Sequence, residues 1–468
     1  MSQLTTLPAV ELLSRLRQAK ISPLELAEEF IREIERLNPT LNALVDFDPD
    51  RVRAQAKALT ADSSSRGPLH GLPVTVKSSI STAGHRCEIG STLNRGFIPQ
   101  EDAPVVARLR AAGAVILGTT NCPENLMAYE TDNLLYGRTN NPWDITRNSG
   151  GSSGGESAAI AAGISAGGLG SDSGGSVREP AHFTGICSLK PTSGRIPGRG
   201  HLPPCIGPFS ILGAIGPMAR TIADVTLLFQ TLSGQDHLDP NSPPVPTRTP
   251  SLSDLRQITI GVFEADGLTP VTDETRHAVQ TAAQSLRKQG FRVEPFRPTH
   301  LEAARRIWWK FFVRAGAMFF APAIEGKESQ LSLTFRDFLN IARAEPPLSG
   351  TELLNAWAEC DQVREKLLAE MQHHPILLCP VCSIPAFRHG ERQWQVQNQT
   401  VTYLDAMRFT QWFNLLAAPA AVIPIAKSPE GLPIGVQLAG LPYTDETVLT
   451  VANLLDHEFG YTPPPIAL

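Results

Sequence analysis

Apolar residues Leu24, Leu26, Ala27, Phe30 and Ile34 recur near helical spacing behind Ser22-Pro23-Leu24-Glu25. Serine followed three residues on by glutamate, with proline at the first helical position, is a capping box. This predicts a second helix after a short opening one, ending at Asn38-Pro39. Residues 73–78 then change period: Val74 and Val76 share one face of a short strand, Thr75 and Lys77 the other. A helix is expected over 101–112, a buried strand over 114–117, a small-residue helix over 155–163 and another helix over 221–230. The helix at 155–163 is built of Ser157, Ala158, Ala159, Ala161 and Ala162, so its backbone can approach a neighbour closely. Prolines 240, 243, 244, 246 and 250 make residues 239–250 a surface connection.

Beyond it the pattern predicts a strand at 257–263, a helix at 273–288 stopped by Gly290, and a strand at 291–296. Residues 300–372 read as mostly helical. Strands return at 376–382, 419–426 and 432–439, the last two joined by Ser428-Pro429-Glu430-Gly431 as a hairpin, and a helix over 446–457 follows. Interleaved helices and strands without a 20–50-residue repeat predict an α/β protein with a large, mostly buried, mixed sheet.

Composition narrows the function classes. Of 468 residues, 42% are hydrophobic and 19% charged, which provides a large core and argues against disorder. Net charge is −5 with no lysine-arginine run, so no nucleic acid partner is expected. The most apolar stretch, 307–320, is broken by Lys310 and Arg314, so no membrane span is expected. Its six rings (Trp308, Trp309, Phe311, Phe312, Phe319, Phe320) read first as core and second as a substrate pocket. Residues 1–20 lack an apolar segment of signal-peptide length, which makes a cytoplasmic protein the expectation. Seven scattered cysteines, an odd number, fit reduced thiols. Cys379-Pro-Val-Cys382 has redox spacing, but it follows Ile376-Leu377-Leu378 and no helix start comes after it, so a buried strand entering a loop is expected. No second ligand pair for zinc accompanies it, and no cofactor is called for.

The candidate chemistry lies in two glycine-serine loops, Gly150-Gly-Ser152-Ser-Gly-Gly155 and Asp172-Ser-Gly-Gly-Ser176, with Lys77 upstream. A serine hydroxyl is a poor nucleophile until a neighbour takes its proton. A neutral lysine can do so once its pKa falls toward the working pH, and burial on a sheet face lowers it. No acid lies between Val74 and Ser81 to hold the charge on Lys77. Glycines allow successive backbone N–H groups to converge on an oxyanion.

Gly71-Leu-Pro-Val-Thr-Val-Lys77, Gly150-Gly-Ser-Ser-Gly-Gly-Glu156-Ser-Ala-Ala159 and Gly170-Ser-Asp172-Ser-Gly-Gly-Ser176-Val-Arg178-Glu-Pro-Ala181 resemble the amidase signature family. So do Gly185-Ile-Cys-Ser-Leu-Lys-Pro-Thr192 and Gly431-Leu-Pro-Ile-Gly-Val-Gln-Leu-Ala-Gly440, and the likeness covers about residues 20–460. The resemblance implies one domain over 1–468, with a large central twisted mixed sheet covered by helices on both faces. Its core signature spans about 65–240, and its variable, substrate-facing helical region about 300–372. It further implies hydrolysis of a linear carboxylic amide to acid and amine or ammonia, as in bacterial amidases and fatty acid amide hydrolase-like enzymes. By the same likeness Ser176 is the nucleophile, Lys77 the base and Ser152 the relay, entered through a cis peptide. The N–H groups of Ser173, Gly174, Gly175 and Ser176 form the oxyanion hole, and Asp172 and Arg178 support the loop as a buried ion pair. The partner implied is a small-molecule amide, with a homodimer as the assembly.

Ser171 and Ser173 stand where the family commonly has threonine, and Ser188 where it commonly has glycine. A glutamine-hydrolysing amidotransferase subunit is the first alternative. That subgroup carries Ser-x-Asp-Gln before Gly-Pro, whereas this chain has Ser210-Ile-Leu-Gly-Ala-Ile-Gly216-Pro217. A non-catalytic amidase-fold binding protein is the second, opposed by intact Lys77, Ser152 and Ser176. Gly150-Gly-Ser152-Ser-Gly154 also satisfies the nucleophile-elbow spacing. That elbow must follow a strand, and 140–148 is polar and broken by Pro142. A triad through His457 is therefore not expected, and His70 is read as structural.

Overall fold

The computed structural model describes residues 4–61 and 67–465. Ser22 caps the Pro23–Leu41 helix, with Glu25 returning the bond as the box predicts. The helix ends three residues later than the Asn38-Pro39 expectation. Pro39 is accommodated in the last turn, and the helix stops where Asn42 turns left-handed (φ 51°). The Asn38 side chain then accepts from the N–H groups of Ala43 and Leu44 at 2.8 Å each and leads the chain into the sheet.

Eleven strands form one mixed sheet. Along it run Leu44–Phe47, Val115–Thr120, Pro73–Lys77, Gly167–Asp172, Ala214–Ala219, Cys187–Lys190, Ala420–Lys427, Pro433–Gly440, Ile376–Pro380, Thr259–Val262 and Arg292–Pro295. Pro73–Lys77 is parallel to both its neighbours, Val115–Thr120 and Gly167–Asp172. Gly167–Asp172 is antiparallel to Ala214–Ala219. Side chains alternate between cores on the two faces: Ile376 and Leu378 pack into one apolar cluster, Leu377 and Cys379 into another. The first cluster takes in the Asp273–Lys288 and Asp445–Phe459 helices, the second the helices between residues 301 and 370. Helices therefore cover both faces. No helix among the described residues is long and apolar enough to cross a membrane.

The region expected to be helical between 300 and 372 is so: Leu301–Trp308, Gly316–Ile324, Leu333–Ala342 and Gly350–Glu370 are α-helices. Trp309–Ala315 is a π-helical stretch continuous with the first two. Residues 140–148 depart from the reading as broken loop. Asn140–Asn141 and Asp144–Asn148 pair as a small antiparallel hairpin, separate from the main sheet, with Pro142 in its turn. A strand thus does precede the first serine loop, but it is not a strand of the central sheet, as an elbow requires. His457 lies exposed on the Asp445–Phe459 helix.

Candidate active site

Lys77 ends a strand buried at every position and is itself 0% exposed. Its Nζ donates to Ser152 Oγ at 2.7 Å and to Ser171 Oγ at 3.1 Å. Burial lowers its pKa to about 8, against the opposing pull of Cys122, Asp172 and Glu156. Two of these are carboxylates that distant chain segments deliver to a stretch free of acids. Glu156, on the Gly154–Ala161 helix, is held by the hydroxyls of Thr75 and Thr120, the latter at 2.8 Å. Burial raises the Glu156 pKa to about 7, so near neutrality its carboxyl is only partly charged. This helix does approach the sheet closely. A Cβ at Gly155 would lie 2.5 Å from the Asn121 nitrogen, and one at Gly168 would strike the Glu156 carboxylate.

Ser152 follows a cis Gly151–Ser152 peptide in a loop wedged against backbone. A Cβ at Gly151 would come within 2.5 Å of the Glu130 nitrogen. Thr131 Oγ1 donates to the Gly150 carbonyl at 2.9 Å, and the Ser153 N–H donates to the Ser176 carbonyl at 3.1 Å, which ties the two serine loops together. Among the described residues the Ser152 and Ser176 hydroxyls are not hydrogen-bonded to each other. They line the same small cavity.

Asp172 and Arg178 form the expected ion pair, 2.9 Å apart and fully buried in their side chains. Burial alone would raise the Asp172 pKa, but the Arg178 guanidinium, aided by Lys190 and Asn414, holds it below the usual carboxylate range. Arg178 is held in turn by the Thr410 carbonyl, Gln437 and Asn414. Asp172 also accepts from the N–H groups of Gly175 at 2.8 Å and Val177 at 3.1 Å. This corrects one expectation: the Gly175 N–H is taken by Asp172 rather than left for an oxyanion. Among the described residues, those of Ser173, Gly174 and Ser176 have no protein acceptor.

The direction of the Gly174 and Gly175 N–H groups is set from the other side of each peptide, because N–H and C=O point oppositely in a trans unit. Trp308 Nε1 donates to the Ser173 carbonyl at 2.8 Å, so the Gly174 N–H faces away from the indole. The Gly174 carbonyl accepts from Tyr129 at 3.1 Å and Thr410 at 2.6 Å. Gly175 has φ 132°, a conformation open to glycine, and a Cβ there would meet Thr410 Oγ1 at 2.5 Å. Behind the loop, Glu179 is fully buried, and burial and Asp172 push its pKa well above the usual carboxylate range.

Ser176 opens onto two cavities. One measures about 450 Å³ and is walled by Leu126, Met127, Trp308, Phe312 and Phe338 among others. The second measures about 40 Å³ and carries Ser152, Ser171 and Ser173, with Phe209, Phe319 and Phe320 in its walls. The aromatic stretch meets both readings: Trp308, Phe311 and Phe320 belong to an apolar core cluster with Trp309 and Phe312 packed against it, and several of the rings also face a cavity. Trp308 and Phe312 stack at 4.8 Å on the large cavity, Phe312 also reaches the small one beside Phe319 and Phe320, and Trp309 and Phe311 stay off both.

Tyr129, Thr410 and Asn414 escaped the sequence reading. They reach the Ser176 loop from far along the chain, and nothing in their local sequence marks them. Cys379 and Cys382 are buried free thiols whose pKa values burial raises, as expected for a strand entering a loop. Among the described residues no cluster of three His, Cys, Asp or Glu side chains is placed to hold a metal.

The family model described as Amidase matches residues 25–449. Indoleacetamide hydrolase of Bradyrhizobium diazoefficiens is 32% identical over 463 residues, covering 97% of this chain and 86% of that protein. A glutamyl-tRNA(Gln) amidotransferase subunit of Roseiflexus castenholzii is 33% identical over 477 residues, covering 96% of this chain and 95% of that protein. Among solved structures, one reported for a vestigial protein complex that reveals the evolutionary origins of an s-triazine catabolic enzyme superposes with a TM-score of 0.89. It is 29% identical and covers 98% of this chain and 100% of its own.

Proposed function

This chain belongs to the amidase family, and from that premise we propose that it hydrolyses a linear carboxylic amide through an acyl-enzyme on Ser176. The observation that carries the reading is the fully buried Lys77 amine 2.7 Å from Ser152 Oγ, beside a cavity that Ser152 shares with Ser176. Neutral Lys77 accepts the Ser152 proton, and Ser152 accepts that of Ser176 as its oxygen attacks the carbonyl carbon. Negative charge forms on the carbonyl oxygen and is met by the N–H groups of Gly174 and Ser176, with Ser173 beside them. The proton returns through Ser152 to the departing nitrogen, the C–N bond breaks and the Ser176 ester remains. Water then attacks the ester by the same route in reverse and regenerates Ser176.

Glutamine hydrolysis, the reaction class of the amidotransferase relative, is the competing reading. It would need a cation for the amino-acid carboxylate. The arginine on the large cavity, Arg392, is already paired with Glu130 at 2.6 Å and lies over the Tyr403 ring.

The test is turnover of an amide panel by the purified chain, with Ser176→Ala and Lys77→Ala beside it. Ser176→Ala should lose about 10⁴-fold or more and Lys77→Ala about 10²–10⁴-fold. Full turnover by either variant overturns the mechanism. Ammonia release from glutamine, faster than from every other amide, overturns the choice between the two readings.

A further inference from the structure

We infer that the substrate is a primary amide of a bulky apolar acid, whose acyl part fills the large cavity while ammonia leaves through the small one. The inference rests on the proposed acyl-enzyme reading and goes on to name its substrate class. Two observations carry it. First, the two cavities that Ser176 lines differ about elevenfold, 450 Å³ against 40 Å³. A single water needs about 10–15 Å³ of such space, and benzene is held by an engineered cavity of about 150 Å³. The small cavity therefore admits ammonia or water but no ring, and the large one admits a ring with a linker.

Second, the two cavities are not chemically equivalent. Ser152, the hydroxyl bonded to Lys77, lines the small cavity and is absent from the walls of the large one. The departing nitrogen has to receive its proton from that hydroxyl, so the nitrogen faces the small cavity. The opposite orientation, with a small acyl group and a large amine, would turn the nitrogen away from its proton donor. The balance is R–CO–NH₂ + Ser176–OH → R–CO–O–Ser176 + NH₃, then R–CO–O–Ser176 + H₂O → R–COOH + Ser176–OH. In the first step the C–N bond breaks, a C–O bond forms and the serine proton ends on nitrogen. In the second a water proton returns to Ser176. Ammonia and water are nearly the same size, so the space one vacates suits the other.

Phenylacetamide and acetanilide are isomers that present the two orientations. The purified chain should favour phenylacetamide at least 100-fold in kcat/KM and release one ammonia per acid. Equal rates or a preference for acetanilide overturn the inference. So does a chain labelled at Ser176 by a fluorophosphonate that turns over neither isomer nor the longer primary amide octanamide. Absence of that labelling instead sinks the acyl-enzyme reading itself. Phe319, 42% exposed, and Phe209 wall the small cavity and rest edge-on 6.0 Å apart. Phe319→Ala and Phe209→Ala should each raise the rate on N-methyl-phenylacetamide relative to phenylacetamide at least fivefold. An unchanged ratio in both overturns the assignment of the leaving side.

Discussion

Lys77, Ser152, Asp172 and Arg178 are each no more than 1% exposed, on two strand ends, a loop and the start of a helix. The helical segment above them mixes rings such as Phe311, at 0%, with rings such as Phe319, at 42%. Around Ser176, Asp172, Arg178, Thr410 and Asn414 are joined in one buried hydrogen-bond network. Above it, rings touch rings, and contacts between rings tolerate change of size far better than polar networks tolerate loss of a member. On the proposed reading, reaction chemistry and substrate choice thus fall to parts of the chain with different tolerance.

The hardest blow to that contrast is Asp172→Ala. It leaves the buried Arg178 charge without its carboxylate and frees two backbone N–H groups, which should cost about 3–5 kcal/mol in denaturant unfolding. Phe319→Ala, on the exposed side, should cost no more than about 1 kcal/mol. Similar losses would erase the distinction.

Next is the pH profile of kcat/KM. Only unprotonated Lys77 accepts a proton, and its pKa lies at about 8. Activity should therefore rise about tenfold per pH unit below that value and level off above it. The Glu156 carboxylate raises the Lys77 pKa, so Glu156→Gln should move the limb to lower pH. A limb that stays in place would remove Glu156 from the circuit.

The smallest effect sharpens the comparison, because it sits where the two regions meet. Trp308→Phe keeps a ring stacked on Phe312 but loses the N–H bond to the Ser173 carbonyl. It should lower kcat about tenfold with little change in KM, less than the ~10²–10³ for removing an oxyanion donor outright. A change confined to KM would make Trp308 a pocket wall and nothing more.

Strands with strong side-chain alternation were legible: Val74 and Val76 on one face, Thr75 and Lys77 on the other, and the pair at 420–440. Gly167–Asp172 was not, because Gly-Gly-Leu-Gly-Ser-Asp has almost no side chains to alternate. Its glycines answer to a neighbour, as the carboxylate of Glu156 pressed on Gly168 makes plain. The Gln393–Val396 and Gln399–Thr402 hairpin turns through Gln397 and Asn398, both at positive φ, without the Asn-Gly or Asp-Gly pair that announces such a turn. Lys77, Ser152, Ser176, Asp172 and Arg178 could be located because they sit in short motifs at characteristic spacing. The supports of the Ser176 loop could not, since Trp308, Thr410 and Asn414 meet it only through the fold.

Trp308 also fills the space beside Gly174, where a Cβ would lie 2.6 Å from the indole. The helical segment that lines the large cavity is thereby keyed into the Ser176 loop. It is not a cassette: transplanting residues 301–342 from a relative would carry over a new pocket and unseat the catalytic loop, unless the graft brought an indole to the same spot.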